Sequence, residues 1–449
     1  MSSFISRRQR LLRQMHEKGG GVAILGTARE VMRNADADYP YRHDSSFYYL
    51  TGFPEPEAVL VLVAGETDQS ILFCREKNAE REIWDGYRYG PEAAGEAFGM
   101  DESYPIDQLD SKMTRLLADA PAVFYSLGTD HQLDAQVRTW LDGVRTQARS
   151  GVCAPSVAID LRGMLNEMRL IKDAGEIAIM QRAADISSAA HVRAMRLAAP
   201  GRREYELEAE LLHEFRRNGS QFPAYGSIVA TGANSCVLHY RASDAMLKDG
   251  DLVLIDAGCE LDSYASDITR TFPANGRFSP AQRELYELVL AAQDAAVAHT
   301  GPGFSFMDGH EAAVKVLAQG MLDTGLLDKN KVGALEDVIV NGDYRQFYMH
   351  RTGHWLGLDV HDVGDYRERD VTQGQEKPWR QLKPGMVLTI EPGIYVRPAA
   401  SVPEQYWNIG IRIEDDAVVT ENGCDLITRN APKTVADIEA VMRDGAARS

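Results

Sequence analysis

The stretch GDLVLIDAG, residues 250–258, places a carboxylate at the end of an apolar run. Leu252 to Ile255 read as a strand on its way into a core, and the next residue is Asp256. A second stretch, GMVLTIEPG at 385–393, repeats the pattern without a gap. Gly250 aligns with Gly385, Ile255 with Ile390, Asp256 with Glu391 and Gly258 with Gly393. A buried carboxylate is costly unless something compensates its charge. Two such strands therefore point to two related halves, each delivering an acid to one centre; chance similarity of two buried strands is the alternative.

The neighbouring residues extend the pattern. SYASDITRTF (263–272) carries Asp267 on the strand that should return from Asp256. A turn centred between Leu261 and Asp262 sets the two aspartates directly opposite one another, with Cβ atoms about 4.5–5.5 Å apart. Like charges that close, beside Leu254, Ile255 and Ile268, require a counter-charge, which a bound cation supplies. The second half repeats this chemistry with Glu391 and, in IGIRIEDDAVVT (409–420), Glu414. Between them lies MHRTGHWLGLDVHD (349–362), with His350, His354 and His361. His350 and His354 have the spacing of a helical zinc pair, but Thr352 and Gly353 indicate a loop, and Asp359 and Asp362 read as local hydrogen-bonders. Four carboxylates and one imidazole suit two divalent ions with bridging carboxylates, whose combined charge cancels that of the four acids. An oxygen-rich set with one nitrogen and no thiolate favours Mn²⁺ or a similar ion over structural zinc. Paired metals are a recurrent means of activating water for hydrolysis.

The bulk properties bound the rest. A chain of 449 residues implies two domains. With 44 % hydrophobic and 25 % charged residues it falls among globular proteins, and a formal charge of −18 disfavours nucleic acid or an anionic membrane as partner. RRQRLLRQ (7–14) is the one candidate basic patch, and its spacing reads as a solvated amphipathic helix. Five scattered cysteines without a CxxC exclude a disulfide framework, and the N-terminal segment lacks the apolar core of a signal peptide. The expectation is a cytoplasmic protein.

An N-terminal mixed α/β domain is expected over 1–172, with strands at 22–26, 45–53, 58–66, 70–74 and 122–128, the third and fourth forming a hairpin. The catalytic domain, 173–449, opens with a helix capped by Asp173 and Glu176. A second helix ends at Gly219, and a third starts from Ser279 and Pro280.

DLVLIDAGCELDSYASDITRTFP, MHRTGHWLGLDVHDVG, LKPGMVLTIEPGIYV and IGIRIEDD together resemble the metallopeptidases of the pita-bread fold, specifically the bacterial aminopeptidase P branch. DYPYRHDSSFYYLTGFPEPEAVLVL extends the resemblance to the N-terminal domain. It implies an α/β (α+β) chain whose pseudo-two-fold catalytic domain holds a dinuclear centre, usually Mn²⁺, on Asp256, Asp267, His354, Glu391 and Glu414. It further implies removal of the first residue from peptides with proline second, by a hydroxide bridging the metals, with Glu391 shuttling the proton. By the same resemblance His350 and His361 contact substrate and stabilise the tetrahedral intermediate, His239 lines the site, and Arg412 orients the centre or the peptide. Tyr225 and Tyr395 shape the pocket, Trp84 resembles an aromatic reaching a neighbouring subunit's site, and the assembly implied is a homotetramer. Two departures stand out: a longer, more charged segment at 362–384, and Arg351 where a small residue is common. A prolidase shares the five ligands and a non-catalytic binding protein shares the fold, so both stay open. The short interval from Glu391 to Glu414 favours the aminopeptidase.

Overall fold

The structure, a computed structural model, describes residues 3–241, 244–369 and 376–446. Two compact units divide the chain between Met168 and Arg169.

The first unit is built on a six-stranded mixed sheet. Gly21–Gly26, Val59–Ala64 and Gln69–Cys74 pair antiparallel, and the 59–74 hairpin turns where the sequence places it. Glu102–Pro105 joins one edge in parallel, and Ala122–Phe124 and Val157–Ile159 join the other. The strand expected over 45–53 is instead the helix Ser45–Thr51. Asp44 caps it by accepting from the Phe47 N–H at 2.8 Å, and Gly52 ends it in the left-handed conformation. Phe47 and Leu50 then pack inward, so the caps and burial override an aromatic-rich, strand-like composition. The 122–128 strand is also shorter than expected and stops at Phe124. The basic N-terminal segment forms the helix Ser3–Glu17, yet Arg7 and Arg8 are buried. Arg8 donates to the carbonyls of Leu50, Phe98 and Gly99, so this pair works inside the unit and not on a solvated face.

The second unit repeats one order of elements. Helices Ala174–Leu197 and Glu204–Arg217 pack together and precede a three-stranded antiparallel sheet of Ile228–Thr231, Leu252–Asp256 and Thr269–Pro273. Helices Pro280–Ala298 and Phe306–Asp323 then pack together and precede a second such sheet of Val387–Ile390, Asp415–Thr420 and Gly423–Leu426. The helix starts at Asp173 and Ser279 are both reciprocal capping boxes, as the sequence predicts. The matched glycines hold matched backbones, Gly250 at φ +86° and Gly385 at φ +88°, a region where a side chain would be strained. Each delivers its apolar strand into one continuous core that includes Val253, Ile255, Leu388 and Ile390.

The register differs from expectation in the first half. Asp262 and Ser263 both have positive φ, as a two-residue primed hairpin turn requires, and they pair Leu261 with Tyr264. Carried down the ladder, this sets Asp256 opposite Thr269 rather than opposite Asp267. Among the described residues no helix is long and apolar enough to cross a membrane.

Candidate metal centre

The acids gather because the strands end where they do. Asp256 terminates its strand, Glu391 follows Val387–Ile390, and Glu414 immediately precedes Asp415–Thr420. Asp267 stands two residues before Thr269–Pro273, on the face Thr269 shares with it by alternation. Backbone bonds then join the pieces: Glu414 N–H donates to the Thr269 carbonyl at 3.0 Å and Glu391 N–H to the Thr352 carbonyl at 2.8 Å. Gly258 permits the approach, since a Cβ there would lie 1.7 Å from the Ser266 carbonyl oxygen.

All four carboxylates line one cavity of about 580 Å³, together with His239, His350, His354, His361, Tyr225 and Arg412. Tyr225 is more than a pocket wall, because its hydroxyl binds both Asp256, at 2.6 Å, and Asp267. Burial and the Asp256 charge push that phenol well above its usual range. Burial also pushes Asp267 and Glu414 up, and it pushes Glu391 up to about 7. Arg412 offers partial compensation, giving Nη2 to Asp256 at 2.6 Å and Nη1 to Tyr395 at 2.9 Å.

His354 makes the strongest case for a cation. It sits in a loop, as Thr352 and Gly353 predict, and its Nδ1 lies 3.0 Å from the Trp355 carbonyl. A carbonyl only accepts, so Nδ1 carries the proton and the neutral ring turns its Nε2 lone pair towards acids. Asp267 Oδ2 is 3.5 Å from that nitrogen and Glu391 Oε1 is 3.8 Å away. Lone pairs converging on one point need a proton or a metal ion between them, and an imidazole held by a backbone carbonyl is the usual arrangement of a metal ligand. Without a metal the acids hold His354 protonated, up to about 9 against the effect of burial. One donor atom each from Asp267, His354 and Glu414 lies within 4.8 Å of the others. The residues fit a divalent centre.

The same logic assigns His350. Its Nδ1 donates to the Arg351 carbonyl at 2.7 Å, so Nε2 accepts from Tyr395, whose oxygen in turn accepts from Arg412. Burial and Arg412 push His350 down to about 3, which keeps it neutral. Burial and His354 likewise lower His361, which has no hydrogen-bond partner among the described residues and stacks edge-on to His354 at 4.2 Å. Trp84 lies in the first unit on the helix Ala79–Asp85 and is 80 % exposed.

Three contributors were not read from the sequence. Thr269 donates to Glu414 at 2.7 Å and accepts from Arg412 Nε at 3.1 Å. Thr352 binds His310 at 2.8 Å and Tyr348 at 2.5 Å while its carbonyl holds the Glu391 backbone. Tyr366 lines the cavity wall. Alternation within SDITRTF was the available signal for Thr269. The three acids of IEDD also separate: Glu414 faces the cavity, Asp415 is bound by Arg270 at 2.7 Å and Lys433 at 3.1 Å, and Asp416 accepts from Ser266 and the Asp267 N–H. Asp359 and Asp362 do not bond locally as expected; both are held by Arg169, 190 and 193 residues earlier in the chain. Residues 370–375 of the charged 362–384 segment lie outside the described residues.

Two paired-helix halves with a buried acid–imidazole cluster between them define a metallopeptidase. Residues 178–421 match metallopeptidase family M24, to which the chain belongs, and residues 4–125 match the aminopeptidase P N-terminal domain. The Xaa-Pro aminopeptidase of Escherichia coli (strain K12) is 44 % identical over 98 % of this chain and 97 % of its own. The structure of Pseudomonas aeruginosa aminopeptidase PepP superimposes with a TM-score of 0.94 at 48 % identity, covering 99 % of this chain and 98 % of the other. Zn-substituted E. coli aminopeptidase P in complex with product gives a TM-score of 0.93 at 43 % identity over 99 % of each chain.

Proposed function

We propose that this chain is a metal-dependent Xaa-Pro aminopeptidase, hydrolysing the bond between a peptide's first residue and a proline in second position. The observation that carries the reading is the cluster of Asp267, His354 and Glu414, one donor atom of each within 4.8 Å of the others, with His354 Nε2 also 3.8 Å from Glu391. Asp256, Asp267, His354, Glu391 and Glu414 would hold two divalent ions, and the oxygen-rich set favours Mn²⁺. Bound there, such ions supply Lewis acidity towards the scissile carbonyl and a water made nucleophilic near neutral pH.

The chain's own residues do the rest. Glu391 accepts the proton of the attacking water and returns it to the proline nitrogen as the bond breaks. His361 stabilises the oxygen of the tetrahedral carbon. His350, with its proton on Nδ1 and its Nε2 accepting from Tyr395, has no free N–H for that oxygen and contacts substrate through its ring. Arg412 fixes Asp256 and Tyr395 so that neither drifts towards substrate. His239 and Tyr225 line the cavity and confine the peptide, while Tyr395, which contrary to expectation does not line it, acts from behind through His350 and Arg412. The prolyl amide has no N–H, so recognition through its carbonyl suits this bond. We further propose a cytoplasmic homo-oligomer, a tetramer by resemblance, whose N-terminal unit serves assembly and substrate access with Trp84 at a neighbour's site. Light scattering of the purified chain tests the assembly.

Incubation with Mn²⁺ and matched Xaa-Pro and Xaa-Pro-Yaa peptides tests the activity. Release of the first residue from the tripeptide is the expected result. Cleavage of the dipeptide alone would make the protein a prolidase, and no hydrolysis with no metal uptake would make it a binding module.

A further inference from the structure

A second depression continues the wall of the catalytic cavity. Arg351 and Tyr366 line both. The rest of the second wall is Arg367, Arg369, Lys377 and Trp379, with Asp365 as its acid. Asp365 pairs with Arg369, and Arg367 pairs at 3.1 Å with Glu376, a residue whose side chain is 86 % exposed. Among the described residues no carboxylate lies within 4 Å of Arg351 or Lys377, and both are exposed. Among the described residues the groove therefore carries more positive than negative charge, on a chain of formal charge −18.

The aromatic residues hold that charge in place. The Arg351 guanidinium stands 5.5 Å from the Trp379 ring centre and 6.0 Å from that of Tyr366. Arg367 lies over the other contact, 3.8 Å from the Trp379 ring centre, and the backbones of Arg367 and Trp379 form an antiparallel bridge. Arg367 already spends N–H groups on Glu376 and the Lys377 carbonyl, but Arg351, set against the rings, keeps an N–H edge that can take a carboxylate in two parallel hydrogen bonds.

We propose that this groove selects substrates by a carboxylate downstream of the proline, either an acidic side chain or the peptide's own C-terminus. The inference rests on the aminopeptidase reading. Only one residue precedes the scissile bond, so whatever leaves the cavity past Arg351 and Tyr366 is the C-terminal part of the peptide.

The test uses the Mn²⁺-loaded enzyme and three peptides: Ala-Pro-Ala-Gln amide, Ala-Pro-Ala-Glu amide and Ala-Pro-Ala-Gln with a free C-terminus. One or both acidic peptides should exceed the neutral one in kcat/KM by roughly two- to fivefold at low ionic strength. That gap should narrow with salt. Whichever peptide gains identifies the source of the carboxylate. In an Arg351→Ser, Lys377→Gln double variant the ratio should fall to about one. Equal rates for all three peptides, or a gap that survives in the double variant, would overturn the proposal. Calorimetric binding of the same peptides to Glu391→Gln reads the groove without turnover. If no peptide is cleaved by the wild-type protein, the activity reading falls while the binding ratio still decides the groove.

Discussion

Arg412 Nη2 lies 2.6 Å from Asp256 Oδ2, so a guanidinium from one half of the catalytic unit neutralises an acid from the other. Its remaining nitrogens are also committed, Nη1 to Tyr395 at 2.9 Å and Nε to Thr269 at 3.1 Å. A lysine keeps the charge but cannot serve three partners in fixed directions. Arg412→Lys should therefore lower kcat/KM for an Xaa-Pro-Yaa peptide by about 10²-fold, the usual consequence of an ångström-scale misplacement of catalytic groups. Steady-state kinetics at saturating Mn²⁺ check this, and a wild-type rate would show that the three contacts do not position the centre.

Thr352 joins the same machinery from behind. Its hydroxyl satisfies His310 and Tyr348, and its carbonyl fixes the Glu391 N–H. Thr352→Val keeps the shape but leaves two buried polar groups without a partner, at about 1–3 kcal/mol. We expect a lower melting temperature and a reduced kcat with KM little changed, because the perturbation reaches Glu391 and not the peptide. A loss confined to KM would place Thr352 in substrate binding instead.

The sequence disclosed the acids more readily than their spacing. Asp256 and Glu391 were legible because each interrupts an apolar strand, a local signal that needs no partner. The capping boxes at Asp173 and Ser279 were legible for the same reason. The opposition of Asp256 and Asp267 was misread because it depends on two left-handed residues, Asp262 and Ser263, that neither composition nor periodicity announces. Ser45–Thr51 misled through its aromatic content, while the deciding contacts came from the caps at Asp44 and Gly52. Arg7, Arg8 and Thr269 escaped notice because their roles lie in carbonyls and acids far along the chain.

Asp362 closes a buried clasp between Arg169, at 2.6 Å, and Lys172, at 2.9 Å. Burial alone would raise its pKa, but Lys172 and Arg169 outweigh burial and hold it below the usual carboxylate range. The folded value is depressed, so the clasp stabilises above the unfolded pKa of roughly 3.9 and is lost as pH falls through the folded value. Asp362→Asn leaves two buried cations short of a partner and should cost about 3–5 kcal/mol near neutral pH. Denaturant unfolding measures the loss. Its convergence with wild type in strong acid checks the sign, and a constant difference at every pH would contradict it.

The last prediction separates the metal's effect on stability from its effect on turnover. In the metal-free protein, burial pushes Glu391 up to about 7, and Asp267 and Glu391 hold His354 up to about 9 despite burial. Both folded values lie above the unfolded ones, roughly 4.3 and 6.5. Their contribution is therefore complete below the unfolded values and is lost as pH rises through about 7 and then about 9. Divalent ions reverse the slope, because they bind the deprotonated ligands and stabilise only the folded chain. The rise in melting temperature on replacing EDTA with Mn²⁺ should accordingly grow between about pH 5 and pH 8. Glu391→Gln deletes one of the raised titrations, so its metal-free profile should be flatter at about pH 7. The same variant should lose about 10²–10⁴-fold in kcat while its circular dichroism matches wild type. A metal-induced shift independent of pH would remove the carboxylate–imidazole centre from the account, and a Glu391→Gln enzyme at full rate would remove Glu391 as the base.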